Sequence, residues 1–138
     1  MSGAATRTEY RSIGFWMAVI IAVMMAFNAW QAFTDPAGFA TRFGLAGAAD
    51  DDPGFVRVYA SRALFLALVT AVLLALRQFR ALGWFALVAV VMPVADAVQV
   101  SAAGGPQLIV VRHGFIATYL LVTGWLLLRL AKQFDGSV

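Results

Sequence analysis

Residues 82–100 read LGWFALVAVVMPVADAVQV, an apolar run whose one charged side chain is Asp96. At 1.5 Å per helical residue a run of this length crosses the ~30 Å hydrocarbon core of a bilayer. A carboxylate inside such a run costs ~2.5–3.5 kcal/mol near mid-membrane. It therefore needs a partner, a proton or water, and the search for that partner organises the rest of the chain. Pro93 removes a backbone donor and frees the carbonyl of Ala89, so this helix is expected to bend there.

Working outward, three more apolar runs of similar length flank it, at about 13–33, 53–76 and 107–130. Of the 138 residues, 62% are hydrophobic and 12% charged, and the mean hydropathy is +0.85. A soluble domain is about half apolar and could not bury this excess. The expected fold is an all-α integral membrane protein. It is a single domain over 1–138, a four-transmembrane-helix bundle with spans at about 13–33, 53–76, 82–100 and 107–130. Met1 to Phe33 has the basic start of a signal peptide, but its apolar run is too long and no small-residue cleavage site closes it, so a retained first helix is expected.

Several chemistries are excluded by residue type. The absence of cysteine removes disulfides, thiol redox chemistry and thiolate metal sites, including quinone reduction of the vitamin K type. His113 is the one histidine, so neither a polyhistidine metal site nor a haem is expected, and no metal or cofactor is called for. Lys132 is the one lysine and lies in the tail, which rules out a retinal Schiff base. There is no phosphate-binding glycine loop, nucleophile elbow or paired catalytic carboxylates. A small drug/proton antiporter would carry an acid in its first helix, and this first helix has none. The net charge of +3 and pI ≈ 10.0 come from basic residues at helix ends, which point to membrane orientation and to no nucleic-acid partner.

The connection from Thr34 to Asp52 carries structure of its own. Asp35-Pro36 is a cap followed by proline at the first helical position. Phe39 and Phe43 fall four apart and Gly44 is a natural stop. A short interfacial helix at about 36–43 is expected in this first outer loop, its phenylalanines in lipid or over the bundle mouth. Asp50-Asp51-Asp52 precedes Pro53, and adjacent aspartates lack the alternating ligand spacing of a calcium loop, so helix capping is the expected role. Small residues recur every four positions at Gly14, Ala18, Ala22 and Ala26, and again at Ala63, Ala67, Ala71 and Ala75. These ridges are expected to pack together within the chain, or to serve a homo-oligomer or another membrane partner.

Loop charge gives orientation. Arg7 and Arg11, Arg77 and Arg80, and Arg129 and Lys132 fall on one side, whereas the acidic connection falls on the other. Basic residues in short loops place both termini and the Arg77 turn in the cytoplasm of a bacterial inner membrane, with membrane lipids around a multi-pass chain.

Depth can then be assigned. At 1.5 Å per residue Arg62 lies ~10–15 Å beyond Asp52, Asp96 ~6–8 Å from its helix end, and His113 ~10 Å past Pro106. Asn28, Gln31, Tyr59, Arg62, Asp96, Gln99, Arg112 and His113 thus share the outer half of the membrane, while the inner halves are almost purely apolar. Asp96 is expected to pair with Arg62. That pair is either a structural staple completed by Gln99, Tyr59 and His113, or part of an outward-opening ligand pocket. Arg112 either adds a spare positive charge for an anionic head or snorkels to the headgroups.

Asp35-Pro36 with Phe39, Phe43 and Gly44, then Arg62, Pro93 with Asp96, and His113-Gly114 resemble the small bacterial four-helix membrane proteins of the DoxX-like, unknown-function group. That resemblance implies one four-helix bundle and no established activity. The sequence favours a binder of a small amphiphilic or lipid-like ligand, with Asp96 and His113 the candidates for acid–base, isomerase-like chemistry should catalysis occur. An assembly subunit with a purely structural Arg/Asp/His network, and an oligomeric small-molecule transporter, are the alternatives.

Overall fold

The computed structural model describes residues 12–46 and 52–135. Arg7, Arg11, Asp50 and Asp51 lie outside the described residues, and with them part of the loop-charge and calcium readings. Among the described residues six helices follow in order: α1 (Ile13–Thr34), α2 (Pro36–Phe43), α3 (Gly54–Ala75), α4 (Phe79–Ala89), α5 (Val91–Ala102) and α6 (Gln107–Asp135). Four spans are long and apolar enough to cross a membrane, α1, α3, α4 with α5, and α6. Large apolar side chains cover the outside, among them Val88 at 70% and Phe115 at 72% exposed, an arrangement stable only against lipid. The chain is a multi-pass four-helix membrane bundle, as its hydropathy predicts.

Local chemistry explains the helix ends. The Asp35 carboxylate accepts from the Gly38 amide at 3.0 Å and pairs with Arg42 at 3.3 Å, so one side chain caps α2 and ties down its last turn. Gly44, at φ 97°, ends α2 in the left-handed conformation that glycine adopts without strain. The Asp52 carboxylate accepts from the Gly54 amide at 2.7 Å, the capping role expected of it. Arg77 makes the turn between α3 and α4 at φ 56°, a left-handed position without a glycine.

The third span begins at Phe79, three residues before the expected Leu82, and the expected bend is a one-residue interruption of the helix at Val90, whose backbone stays right-handed helical. α4 ends at Ala89 and α5 starts at Val91, with Val90 N donating to the Leu87 carbonyl at 3.4 Å across the break. Pro93, buried in the first turn of α5, accounts for it by withholding a donor from Ala89.

The helices pair two by two. α1 packs along α3, and α6 packs along α4 and α5, while the two pairs meet each other less extensively. The first seam uses the expected ridges only in part. Ala63 and Ala67 are buried, whereas Ala26, Ala71 and Ala75 face outward, and Gly14 and Ala18 are buried on the side toward α6, next to Leu126 and Leu127. Ala29, Ala32 and Ala60 continue it instead. The second seam is a glycine crossing. A methyl on Gly83 would sit 3.1 Å from the Gly124 carbonyl, and one on Gly124 would sit 2.9 Å from the Gly83 carbonyl.

Two separate cores close the ends of the bundle. Near the termini, Ala18, Phe79, Leu82, Leu127, Leu130 and Ala131 pack together. At the other end, the loop end, Ala32, Phe39, Ala40, Val56 and Ala60 do so under α2. Between them the bundle is hollow.

Candidate functional site

The hollow is a cavity of about 530 Å³ between the two helix pairs. Protein interiors hold few voids larger than a water molecule, so a space of this size is a designed feature. Asn28, Gln31, Tyr59, Asp96, Arg112 and His113 line its loop end, joined by Arg42. Its other end is walled by Ala18, Leu82 and Leu127, which belong to the terminal core. His113 and Leu127 are fourteen residues apart on one continuous helix, so the cavity is ~21 Å long at 1.5 Å per residue.

Polar atoms along this wall are disposed of unequally. Deep in the cavity, Thr70 Oγ1 donates to the Leu66 carbonyl at 2.8 Å and Thr123 Oγ1 to the Tyr119 carbonyl at 2.7 Å. Tyr119 Oη donates to the Met17 carbonyl at 3.1 Å, tying α6 to α1. These hydroxyls are consumed by backbone, which leaves the deep wall apolar in effect. At the loop end, His113 is 3% exposed and its Nε2 is buried with no hydrogen-bond partner. Such a group costs ~1–3 kcal/mol unless something satisfies it.

The Asp96 carboxylate of the third span lies beside that histidine. Asp96 Oδ2 is 4.0 Å from His113 Nδ1, within ion-pair range but too long for a hydrogen bond. The expected Asp96–Arg62 pair is absent among the described residues. Arg62 is exposed on α3, and it lines a smaller cavity of about 280 Å³ that also touches Tyr59, Asp96 and Gln99. The helical rise sets the heights of Arg62 and Asp96 correctly, but rotation about the helix axis turns Arg62 outward. Gln99 is exposed on the same side.

Arg112 neither pairs with Asp96 nor points away to the headgroups alone. Its Nη2 donates to the Arg42 carbonyl at 3.0 Å, in the last turn of α2, where orphan carbonyls favour a cation. This contact fastens α2 to α6 and gathers two guanidinium groups at the cavity mouth. α2 is therefore a cover over the bundle mouth. Phe39 packs tilted against Tyr59 with ring centroids 5.1 Å apart, and Phe43 meets both Tyr59 and His113 edge-on, at 5.3 and 4.9 Å.

Sequence reasoning thus missed Phe39, Phe43 and Arg42 as site residues, although the Asp35 cap and the Phe pair were the signal that located their helix. The cavity thus has a polar, aromatic-capped end and a long apolar end.

Comparison with curated proteins and with solved structures returns no match. A family model described as a domain of unknown function, DUF4267, matches residues 22–127, which runs from within the first span to within the fourth and takes in every lining residue at the loop end. The match does not extend to a DoxX-like relationship. This small membrane protein belongs to the DUF4267 family.

Proposed function

We propose that the protein binds one amphiphilic, lipid-like molecule, its head among Asp96, His113, Tyr59 and the two arginines Arg42 and Arg112, and its tail in the shaft toward Leu127. The observation that carries this reading is the polarity gradient along one cavity. Polar atoms are tied to backbone in the deep part, and a buried imidazole nitrogen is left over at the head. One leaflet of a ~30 Å hydrocarbon core is ~15 Å thick, so a ~21 Å shaft takes a full-length acyl or alkyl chain. Asp96 and His113 also stand side by side at the head, 4.0 Å apart and not hydrogen-bonded, two groups able to give or take a proton next to a buried imidazole nitrogen. Proton transfer at an atom of the head, as in an isomerisation, is the chemistry they support.

Plugging the shaft tests the reading. Ala86 is 6% exposed and lines the cavity. Ala86→Phe is expected to weaken capture of a diazirine-tailed hexadecanoic acid in vesicles at least tenfold. The melting temperature should hold or rise, because the added ring fills space already present. Undiminished labelling of the cavity wall in this variant, or no saturable labelling of the parent protein, would defeat the proposal.

The head site faces the outside of a bacterial inner membrane in this reading, with both termini in the cytoplasm. Arg77, Arg80, Arg129 and Lys132 support it by gathering at the opposite end of the bundle. Reporter fusions at Gln78 and after Val138 should be active as cytoplasmic reporters, and one near Ala48 as an external reporter. The reverse pattern would turn the site to the cytoplasm.

A further inference from the structure

The smaller cavity extends the binding reading, on which the following rests. It lies between α3 and α5 and shares Tyr59, Met92 and Asp96 with the main cavity, so the two are continuous. These two helices have no extensive contact. α3 leans on α4 near the termini, but the helix interruption at Val90 sends α5 onto α6 instead. The result is a side opening in the loop-end half of the bundle, facing the membrane rather than water. Arg62 and Gln99 stand exposed at its rim, one from each helix.

Arg62 is the unusual member. It lies eight residues, ~12 Å, inside α3, on an exposed face. Among the described residues no carboxylate pairs with it. An arginine so placed in a span cannot lose its proton and reaches along the helix toward headgroup anions. We infer that the α3–α5 opening is a lateral entrance through which the ligand passes from the adjoining leaflet, and that Arg62 draws it in by an acidic head. The occupant is then a single-tailed amphiphile with a carboxylate or phosphate head, taken from the bilayer. Moving from rim to centre, the head exchanges Arg62 and Gln99 for Tyr59 and His113, while the tail slides between helices that do not hold each other. The main cavity also reaches the surface between α1 and α6, where Ile20 and Phe115 line it. That side offers the deeper wall no polar rim, and the Tyr119–Met17 hydrogen bond links its two helices.

The chain has no cysteine, so one introduced thiol can carry a removable plug. Full-length protein in phosphatidylcholine vesicles would be mixed with diazirine-tailed hexadecanoic acid and flashed at successive times, and labelling of the cavity wall followed by mass spectrometry. A bulky methanethiosulfonate adduct on Gln99→Cys should slow capture at least tenfold, and a reducing thiol should restore it. The same adduct on Val72→Cys, which lines neither cavity, should leave the rate unchanged, and on Phe115→Cys, at the α1–α6 side of the main cavity, it should slow capture far less than on Gln99→Cys. Arg62→Gln should weaken capture of the acid about tenfold and leave the corresponding alcohol unaffected, which separates charge recognition from loss of fold. Slowing at Phe115→Cys and not at Gln99→Cys would overturn the inference by moving the entrance to the α1–α6 side. Equal loss of acid and alcohol in Arg62→Gln would remove the acidic-head assignment. If the unmodified protein captures neither probe, the binding reading itself fails, a result distinct from either.

Discussion

Asp96→Leu is expected to raise the thermal stability of the bundle and, in the same protein, to change capture of the amphiphile at the head site. A carboxylate within a span is a standing cost of ~2.5–3.5 kcal/mol at the membrane centre. Asp96 is a quarter exposed and has His113 at 4.0 Å, a contact too long to offset that cost. Leucine in its place should therefore stabilise by about 1–2 kcal/mol once the partial exposure is discounted. The opposite sign is expected if Asp96 is a structural staple, because breaking a buried pair leaves the other member uncompensated. Melting curves of the parent and of Asp96→Leu in one detergent, with probe capture measured on the same preparations, separate the two. Lower stability with capture intact would assign Asp96 to holding α5 on α6 and take the head site with it.

The second large effect concerns the crossing of α4 and α6. Gly124→Val should destabilise the bundle by about 3 kcal/mol or more, the upper end for overpacking. Its Cβ would lie 2.7 Å from Leu87 Cγ and 2.9 Å from the Gly83 carbonyl oxygen. Leu87 can swing away, but the carbonyl belongs to a helix, so the two helices must separate along one of the closest seams in the protein. Gly124→Ala should cost less, about 1–2 kcal/mol, since it adds no branch beyond that first methyl. Gly114 on the same helix is the control, because a methyl there meets nothing within 4 Å. Gly114→Ala should be neutral or stabilising by up to ~1 kcal/mol through helix propensity. Equal melting temperatures for Gly124→Val and Gly114→Ala would show that the crossing is not tight.

The four spans were legible because hydropathy is summed over many residues, and no one residue can overturn it. α2 was legible for the opposite reason, that Asp35, Pro36, Phe39 and Gly44 each act within one turn of the chain. What escaped the sequence was rotation and pairing. Arg62 and Asp96 share a height, yet helical rise says nothing about which way each faces, and the structure puts His113 where Arg62 was expected. Spacing by four likewise marked Ala71 and Ala75 as a ridge, although a stripe of small residues does not say whether it faces protein or lipid. The Gly83–Gly124 crossing left no periodic signature, since it takes one glycine from each helix. The break at Val90 lies three residues before Pro93, because the group that loses its donor is the carbonyl four residues back. The hollow itself is a property of how two helix pairs lean together, and no local pattern encodes a gap.

Arg77 carries a consequence for how such a bundle is made. It occupies a left-handed backbone position that costs a residue with a Cβ ~1–2 kcal/mol and glycine almost nothing. For the finished protein, glycine would be the better choice in that turn. During synthesis the same position lies at the tip of a hairpin whose two arms, α3 and α4, must enter the bilayer together. In the proposed orientation, an arginine at that tip, reinforced by Arg80, resists translocation while the arms partition into lipid. The strain at Arg77 is thus carried by the native state for as long as it lasts, and the benefit falls in the moments of insertion.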